Sequence, residues 1–171
     1  MGQDIAVALG ANIGGADLMV SRMQGVLDAF RARGFVGLKV SRVFKTKPLQ
    51  TDGEHEWYLN CVFRCSDLKK ESPTSLLEWT QSLEHEQGRN NKGLLKPRTM
   101  DIDILWIGNE AIQTEVLTLP HPRIKERRFV LEPLLDLYAK DFKHRLWSDS
   151  LESFCQASME QHLTVVGRLL K

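Results

Sequence analysis

Ile5-Ala6-Val7-Ala8-Leu9-Gly10 alternates large and small side chains; Ala11-Asn12-Ile13-Gly14-Gly15 follows, and then apolar residues at Met19, Met23, Val26, Leu27 and Phe30. The first run has period two, so Ile5, Val7 and Leu9 share one face of a strand. In the second, the apolar spacings trace one stripe along a helix, with Asp17 as the expected cap and Gly34 as the expected stop. This strand-turn-helix opening sets the frame for the rest of the chain. Leu38 to Phe44 reads as a second strand, broken at Thr46-Lys47-Pro48-Leu49. Trp57 to Cys65 reads as a third, with Trp57, Leu59, Cys61, Phe63 and Cys65 on one face. Ser72-Pro73 opens a second helix through Leu76, Leu77, Thr80 and Leu83, and Gly88 suits its end. A basic loop, Arg89 to Pro97, leads to a fourth strand, Thr99 to Ile107. Ile124 to Tyr138 is expected to be partly helical with a break at Pro133, and Ser150 to Leu170 to form one or two further helices. The order β-α-β-β-α-β predicts an α+β fold with a ferredoxin-like core, a mostly antiparallel sheet and extra C-terminal helices. One sheet face is then left for loops, added helices or a ligand.

Length and composition narrow the function classes. The 171 residues suit a single domain, 1–171, and 42% hydrophobic residues suffice for one core. Lys plus Arg total 23 against 22 for Asp plus Glu, so no global charge draws the chain to nucleic acid or to an acidic membrane. No apolar run approaches the roughly 18 residues that span a bilayer. Met1-Gly2-Gln3-Asp4 has neither the basic start of a signal peptide nor, with Ala6, the myristoylation pattern. Cys61, Cys65 and Cys155 are too few and too odd in number for a disulfide framework. A soluble cytoplasmic protein is the expectation. A nucleic-acid-binding module on the same fold would carry a Lys/Arg-Gly-aromatic strand motif, which is absent.

The residues with most chemical content are Pro97-Arg98-Thr99-Met100-Asp101-Ile102-Asp103-Ile104-Leu105. On a strand, Asp101 and Asp103 share one face while Met100, Ile102 and Ile104 take the other. Same-face neighbours lie roughly 6–7 Å apart at Cα. Two carboxylates so close repel unless a cation joins them, and hard oxygen ligands suit Mg²⁺ together with phosphate oxygens and water. Aspartate is also a poor strand former, so two in an apolar strand ask for a reason. Arg98 stands at the strand entrance as a bidentate phosphate donor. Arg89, Lys92 and Lys96 precede it, and His121, Arg123, Lys125, Arg127 and Arg128 follow. Basic clusters on both sides of an acidic pair fit a polyphosphate with its metal. Gly88 and Gly93 have Walker-loop spacing, but Leu94-Leu95 follow where Lys-Ser/Thr is required, so the common phosphate loop is excluded.

Pro97 to Asp103, Leu117-Thr118-Leu119-Pro120-His121-Pro122 and Glu126-Arg127-Arg128-Phe129-Val130-Leu131-Glu132-Pro133-Leu134 together resemble the hydroxymethyldihydropterin pyrophosphokinases. The likeness runs from about Ile5 to Leu137 and includes Leu9-Gly10-Ala11-Asn12-Ile13-Gly14, Thr46-Lys47-Pro48-Leu49, Tyr58-Leu59-Asn60 and Gln81-Ser82-Leu83-Glu84. The resemblance implies ATP as co-substrate and two Mg²⁺ ions on Asp101 and Asp103. It implies that Arg89, Arg98, His121 and Arg127 contact phosphates or nucleotide, with Arg89 and Arg98 also catalytic. Spacing from His121 alone leaves Arg127 and Arg128 both open for that contact. Gln81, Glu84, Ile104 and Thr118 would line the nucleotide site. Gly10, Thr46, Leu49, Tyr58, Asn60, Phe129 and Asp101 would form the pterin site, with Tyr58 and Phe129 stacking on the ring. The loops Thr46 to His55 and Arg89 to Lys96 are candidate lids. The implied partners are small-molecule substrates only, with no nucleic acid and no membrane, and the expected state is a monomer.

The pattern departs from the family in the basic loop. Asn91 stands where the family has a second arginine; Leu95 and Lys96 replace a tryptophan and a glycine; Val116 replaces a basic residue, and the loop is one residue short. These changes remove an aromatic plate and bidentate phosphate contacts. They motivate an alternative reading, a nucleotide-binding relative with weakened or lost catalysis. Leu95→Trp is therefore expected to tighten substrate binding several-fold by calorimetric titration; an unchanged affinity would exclude the loop as the cause.

Overall fold

The computed structural model describes residues 2–47, 57–69, 71–88, 99–158 and 161–169. The opening β-α unit forms where the sequence places it. Strand β1 (Gln3–Ala11) runs into helix α1 (Gly15–Arg33), whose buried residues are Met19, Met23, Val26, Leu27 and Phe30. Asp17 is not the cap: Gly14 takes that position at φ 100°, in the left-handed region, without a side-chain hydrogen bond. Asp17 lies in the first turn instead, where a negative charge still favours the helix dipole. Gly34 closes the helix at φ 102°, as expected.

The expected second strand is two, β2 (Val36–Val40) and β3 (Arg42–Thr46), each antiparallel to β4 (Tyr58–Asp67). They part at the buried Ser41. Its N–H donates to the Val62 carbonyl (2.9 Å), and its hydroxyl accepts from the Val62 N–H (3.0 Å) while donating to the Arg42 carbonyl (2.7 Å). A serine hydroxyl has replaced a main-chain group in the ladder and kinks the strand. Thr46, expected to break the strand, is its last residue.

Helix α2 (Pro73–Glu86) starts as read, with Ser72 Oγ accepting from Ser75 N–H at 3.1 Å. Strand β5 (Asp101–Ile107) pairs with β1, and a short hairpin, β6 (Ile112–Gln113) with β7 (Thr118–Leu119), follows. After a 3₁₀ turn, Ile124–Glu126, comes helix α3 (Arg128–Leu135). Pro133 lies inside α3 rather than breaking it. The missing N–H costs one helical bond, and burial of Val130, Leu131 and Leu134 holds the turn in place.

The C-terminal expectation is corrected. Helix α4 covers only Leu151–Ala157, and Leu163–Arg168 is a strand, β8, antiparallel to β3. Leu163-Thr164-Val165-Val166 is β-branched and suits an edge strand, but that edge exists only once β3 is in place. Among the described residues, the main sheet has six strands in the order β5-β1-β4-β3-β8, with β2 also on β4. The fold is α+β.

Two cores flank the sheet. Helices α1 and α2 cover Ile5, Val7, Leu9, Leu59, Cys61, Phe63 and Cys65. Helices α3 and α4 cover Ala6, Val62, Leu105 and Trp106 on the other face. Trp57, expected on the core face, lies outside it just before β4; the residue is 38% exposed, with the Lys45 and Lys47 ammoniums 4.6 and 5.5 Å from its ring centroid. The three cysteines are buried and unpaired. Burial pushes Cys61 and Cys65 up to about 12 and Cys155 up to about 11. Since only the thiolate is nucleophilic, a thiol reagent at neutral pH should find no fast-reacting group in the folded protein and three after denaturation. A fast-reacting thiol in the folded chain would contradict the packing. Among the described residues no helix is long and apolar enough to cross a membrane.

Candidate active site

At one end of the α3 face, strand register gathers the residues singled out by sequence. Asp101 and Asp103 on β5 stand opposite Gly10 and Ala8 on β1, and Gly10 stands opposite Asn60 on β4. Ile102 and Ile104 point the other way, into the α1–α2 core. The two carboxylates therefore share a face, and small residues floor the space beside them. Ile104 is 4% exposed, so at the site it offers main chain rather than side chain.

A β-bulge explains how the carboxylate end meets the apolar end. Val7 pairs with Ile104 and Ala6 with Trp106, which leaves Leu105 extra. Leu105 and Trp106 both join the α3 core, and Ile107 returns to the α1–α2 core. The displaced Leu105 carbonyl accepts the His121 N–H at 2.7 Å. The bulge thus ties the His121 segment to the aspartate strand.

Burial lowers the His121 imidazole below the usual histidine range; Asp103 opposes this, Arg127 and Arg123 reinforce it, and Asp101 opposes it. His121 Nδ1 accepts the Arg123 N–H at 3.2 Å. A neutral ring that accepts at Nδ1 carries its proton on Nε2 and offers it as a donor.

The two arginines left open as the phosphate contact have different protein partners. Arg127 Nη1 donates to Asp103 Oδ2 at 3.2 Å, and its guanidinium lies 5.6 Å from the Phe129 ring centroid. Arg128 forks onto Glu132 at 3.1 and 2.7 Å and reaches the Gln161 carbonyl at 3.3 Å. Arg127 is the arginine at the carboxylates, and Arg128 fastens α3.

Asn60 and Thr46 are buried, and Asn60 Nδ2 donates to Thr46 Oγ1 at 2.9 Å. The Asn60 carboxamide oxygen lies 3.3 Å from where a Cβ at Gly10 would sit, so a side chain there would crowd it. Tyr58, in register with Thr46, and Phe129, at the start of α3, are half-buried. Gln81 is half-buried on α2, and Thr118 pairs with Gln113 in the small hairpin. Arg89, Arg98, Leu49 and most of both candidate lids lie outside the described residues. Glu84 is 4% exposed, and its Oε1 accepts the Ile102 N–H at 2.8 Å. Nothing in the spacing of α2 revealed that contact.

Among the described residues no group of three or more His, Cys, Asp or Glu gathers to hold a metal alone. Two carboxylate donors fit Mg²⁺, which binds one or two carboxylates and takes its other oxygens from substrate phosphates and water. Such a pair beside a guanidinium and a neutral imidazole is the layout expected of the phosphate-transferring class of enzymes.

Comparison with known proteins makes the assignment specific. Residues 6–139 match the family model described as 7,8-dihydro-6-hydroxymethylpterin-pyrophosphokinase (HPPK), and the chain belongs to that family. It is 37% identical over 131 residues to the 2-amino-4-hydroxy-6-hydroxymethyldihydropteridine pyrophosphokinase of Bacillus subtilis, covering 77% of this chain and 75% of the relative. The Haemophilus influenzae protein of the same name is 36% identical over 132 residues, covering 77% and 79%. A crystal structure of HPPK-DHPS in complex with substrates superimposes with TM-score 0.73 at 13% identity, covering 93% of this chain and 44% of that longer one. That likeness bears on the fold.

Proposed function

We propose that this protein transfers a pyrophosphoryl group from ATP to the hydroxymethyl group of 6-hydroxymethyl-7,8-dihydropterin, forming the pterin pyrophosphate and AMP in folate synthesis. The observation that carries the site assignment is the placement of Asp101 and Asp103 on one face of β5 with Arg127 against Asp103. In the reaction the hydroxymethyl oxygen bonds to the β-phosphorus, the bond from that phosphorus to the oxygen of AMP breaks, and the hydroxyl proton is released. Asp101 and Asp103 would hold Mg²⁺, two ions in this reading. Bound there, the metal would offset phosphate charge and make the attacking hydroxyl easier to deprotonate. Arg127 supplies a guanidinium to the charge that develops on the phosphates, and neutral His121 a donor through Nε2. The Asn60 carboxamide, turned by Thr46, aims its oxygen over Gly10 toward the donor edge of the pterin, and Tyr58 and Phe129 supply aromatic faces for the ring. Arg89 and Arg98 are read as further phosphate contacts. Gln81, Thr118 and the main chain at Ile104 are read as nucleotide contacts. No covalent nucleophile is needed; positioning and charge stabilisation suffice.

The order β5-β1-β4-β3 with α1 and α2 is read as the ferredoxin-like arrangement, and 1–171 as one domain. A monomer is the further reading, as is a reducing cytoplasm, which three free buried cysteines suit. The test is AMP release by the purified chain with ATP, Mg²⁺ and hydroxymethyldihydropterin. Release that requires the pterin supports the assignment. Intact ATP binding without AMP favours the non-catalytic relative.

A further inference from the structure

We propose that Glu84 is a positioning residue that sets the geometry of the aspartate pair, rather than a contact to the nucleotide. The proposal rests on the activity above. Among the described residues, strand β5 is an edge of the main sheet, paired with β1 alone. In an antiparallel ladder, alternate residues turn their N–H and C=O groups to opposite sides. The Ile102 N–H points to Glu84 on α2, so those of Asp101 and Asp103 point to β1, where Gly10 and Ala8 face them. The residue between the two aspartates would otherwise present a buried N–H with no strand beside it. Such a group is costly to leave unmet.

The Glu84 carboxylate meets it at 2.8 Å, and Glu84 itself is 4% exposed, two residues before the end of α2. Thr80, one turn earlier on the same helix face, is 1% exposed and donates its hydroxyl to the Leu77 carbonyl at 2.9 Å. This face of α2 is thus packed tightly while the Glu84 carboxylate reaches the strand. Asp101-Ile102-Asp103 is held from two sides, by the β1 ladder and by Glu84. The spacing and tilt of the two carboxylates then depend on a side chain that need not touch substrate. An anionic acceptor suits the task, because a charge-assisted bond to a main-chain N–H is stronger than a neutral one.

Two measurements decide it. The first is amide hydrogen exchange, which needs neither substrate nor metal. The Ile102 amide should exchange as slowly as the β1–β4 ladder amides in the wild type and at least about tenfold faster in Glu84→Leu, with those ladder amides unchanged. Glu84→Gln keeps an acceptor and should hold most of the protection, so it reports even if the leucine variant folds poorly. The second is steady-state kinetics. Glu84→Leu should lower kcat by about 10- to 100-fold, the range that misplacement of about 1 Å produces, with KM for ATP within about threefold. Glu84→Gln should recover most of that loss. A rise in KM for ATP with kcat maintained in both variants would mark a nucleotide contact and overturn the proposal. Equal Ile102 exchange in all three proteins would overturn it as well. A wild type that forms no AMP would refute the activity instead, while the exchange comparison would still decide the role of Glu84.

Discussion

Asp101→Ala is expected to reduce pterin-dependent AMP formation on the order of 10³-fold or more, while the protein stays folded. The loss follows from geometry. Two carboxylates share the face opposite Gly10 and Ala8, and Arg127 already neutralises Asp103 at 3.2 Å. Removing Asp101 leaves Asp103, which Arg127 contacts, as the remaining carboxylate of the pair, and a single carboxylate is a poor site for a divalent cation. The chemistry relies on charge stabilisation, where loss of a single group costs about 10²–10³-fold, and a metal ligand carries more than one such contact. Folding is little affected because Asp101 is half-buried and alanine keeps its main-chain ladder bonds. A coupled AMP assay, with ATP affinity measured with and without Mg²⁺, gives the answer. More than a tenth of wild-type activity would place the metal elsewhere.

The second large effect is on stability. Phe30→Ala is expected to cost about 3–5 kcal/mol, as truncation of a buried aromatic does. Phe30 is fully buried, and its ring centroid lies 4.9 Å from Phe35, 4.8 Å from Phe63 and 4.7 Å from Trp79. One side chain joins α1, the turn after it, β4 and α2. Native domains hold only about 5–15 kcal/mol in total, so urea unfolding should shift to much lower midpoints. Activity per folded molecule at low temperature should persist, because Phe30 packs on the sheet face away from Asp101 and Asp103. A cost under about 1 kcal/mol would mean that the aromatic cluster closes over the cavity.

Much of the first core was legible because its signal is local. The five apolar positions of α1, the Gly34 stop and the Ser72-Pro73 start are decided by residues within one or two turns of each other, and the structure has each of them. Ser41 was not legible: its hydroxyl enters the ladder through Val62, 21 residues away. Nor was β8, since the helical reading of Ser150 to Leu170 was a fair local one and only the free edge of β3 turns Leu163–Arg168 into a strand. The same distinction separates Arg127 from Arg128, adjacent in sequence and bound to Asp103 and Glu132 respectively.

By itself the sequence determined the α+β alternation, the shared face of Asp101 and Asp103 and the residue types that point to a polyphosphate and its metal. Period, capping and strand alternation are properties of neighbouring residues and need no fold to be read. Only the tertiary structure decided which arginine meets the carboxylates, that the Leu105 bulge tethers His121, that Asn60 turns its oxygen over Gly10, and that Glu84 holds the peptide between the aspartates. Each of those is a hydrogen bond, a register shift or a close approach between segments far apart in the chain. Such pairings are selected by the energy of satisfying buried polar groups across the whole molecule, which no local window of sequence contains.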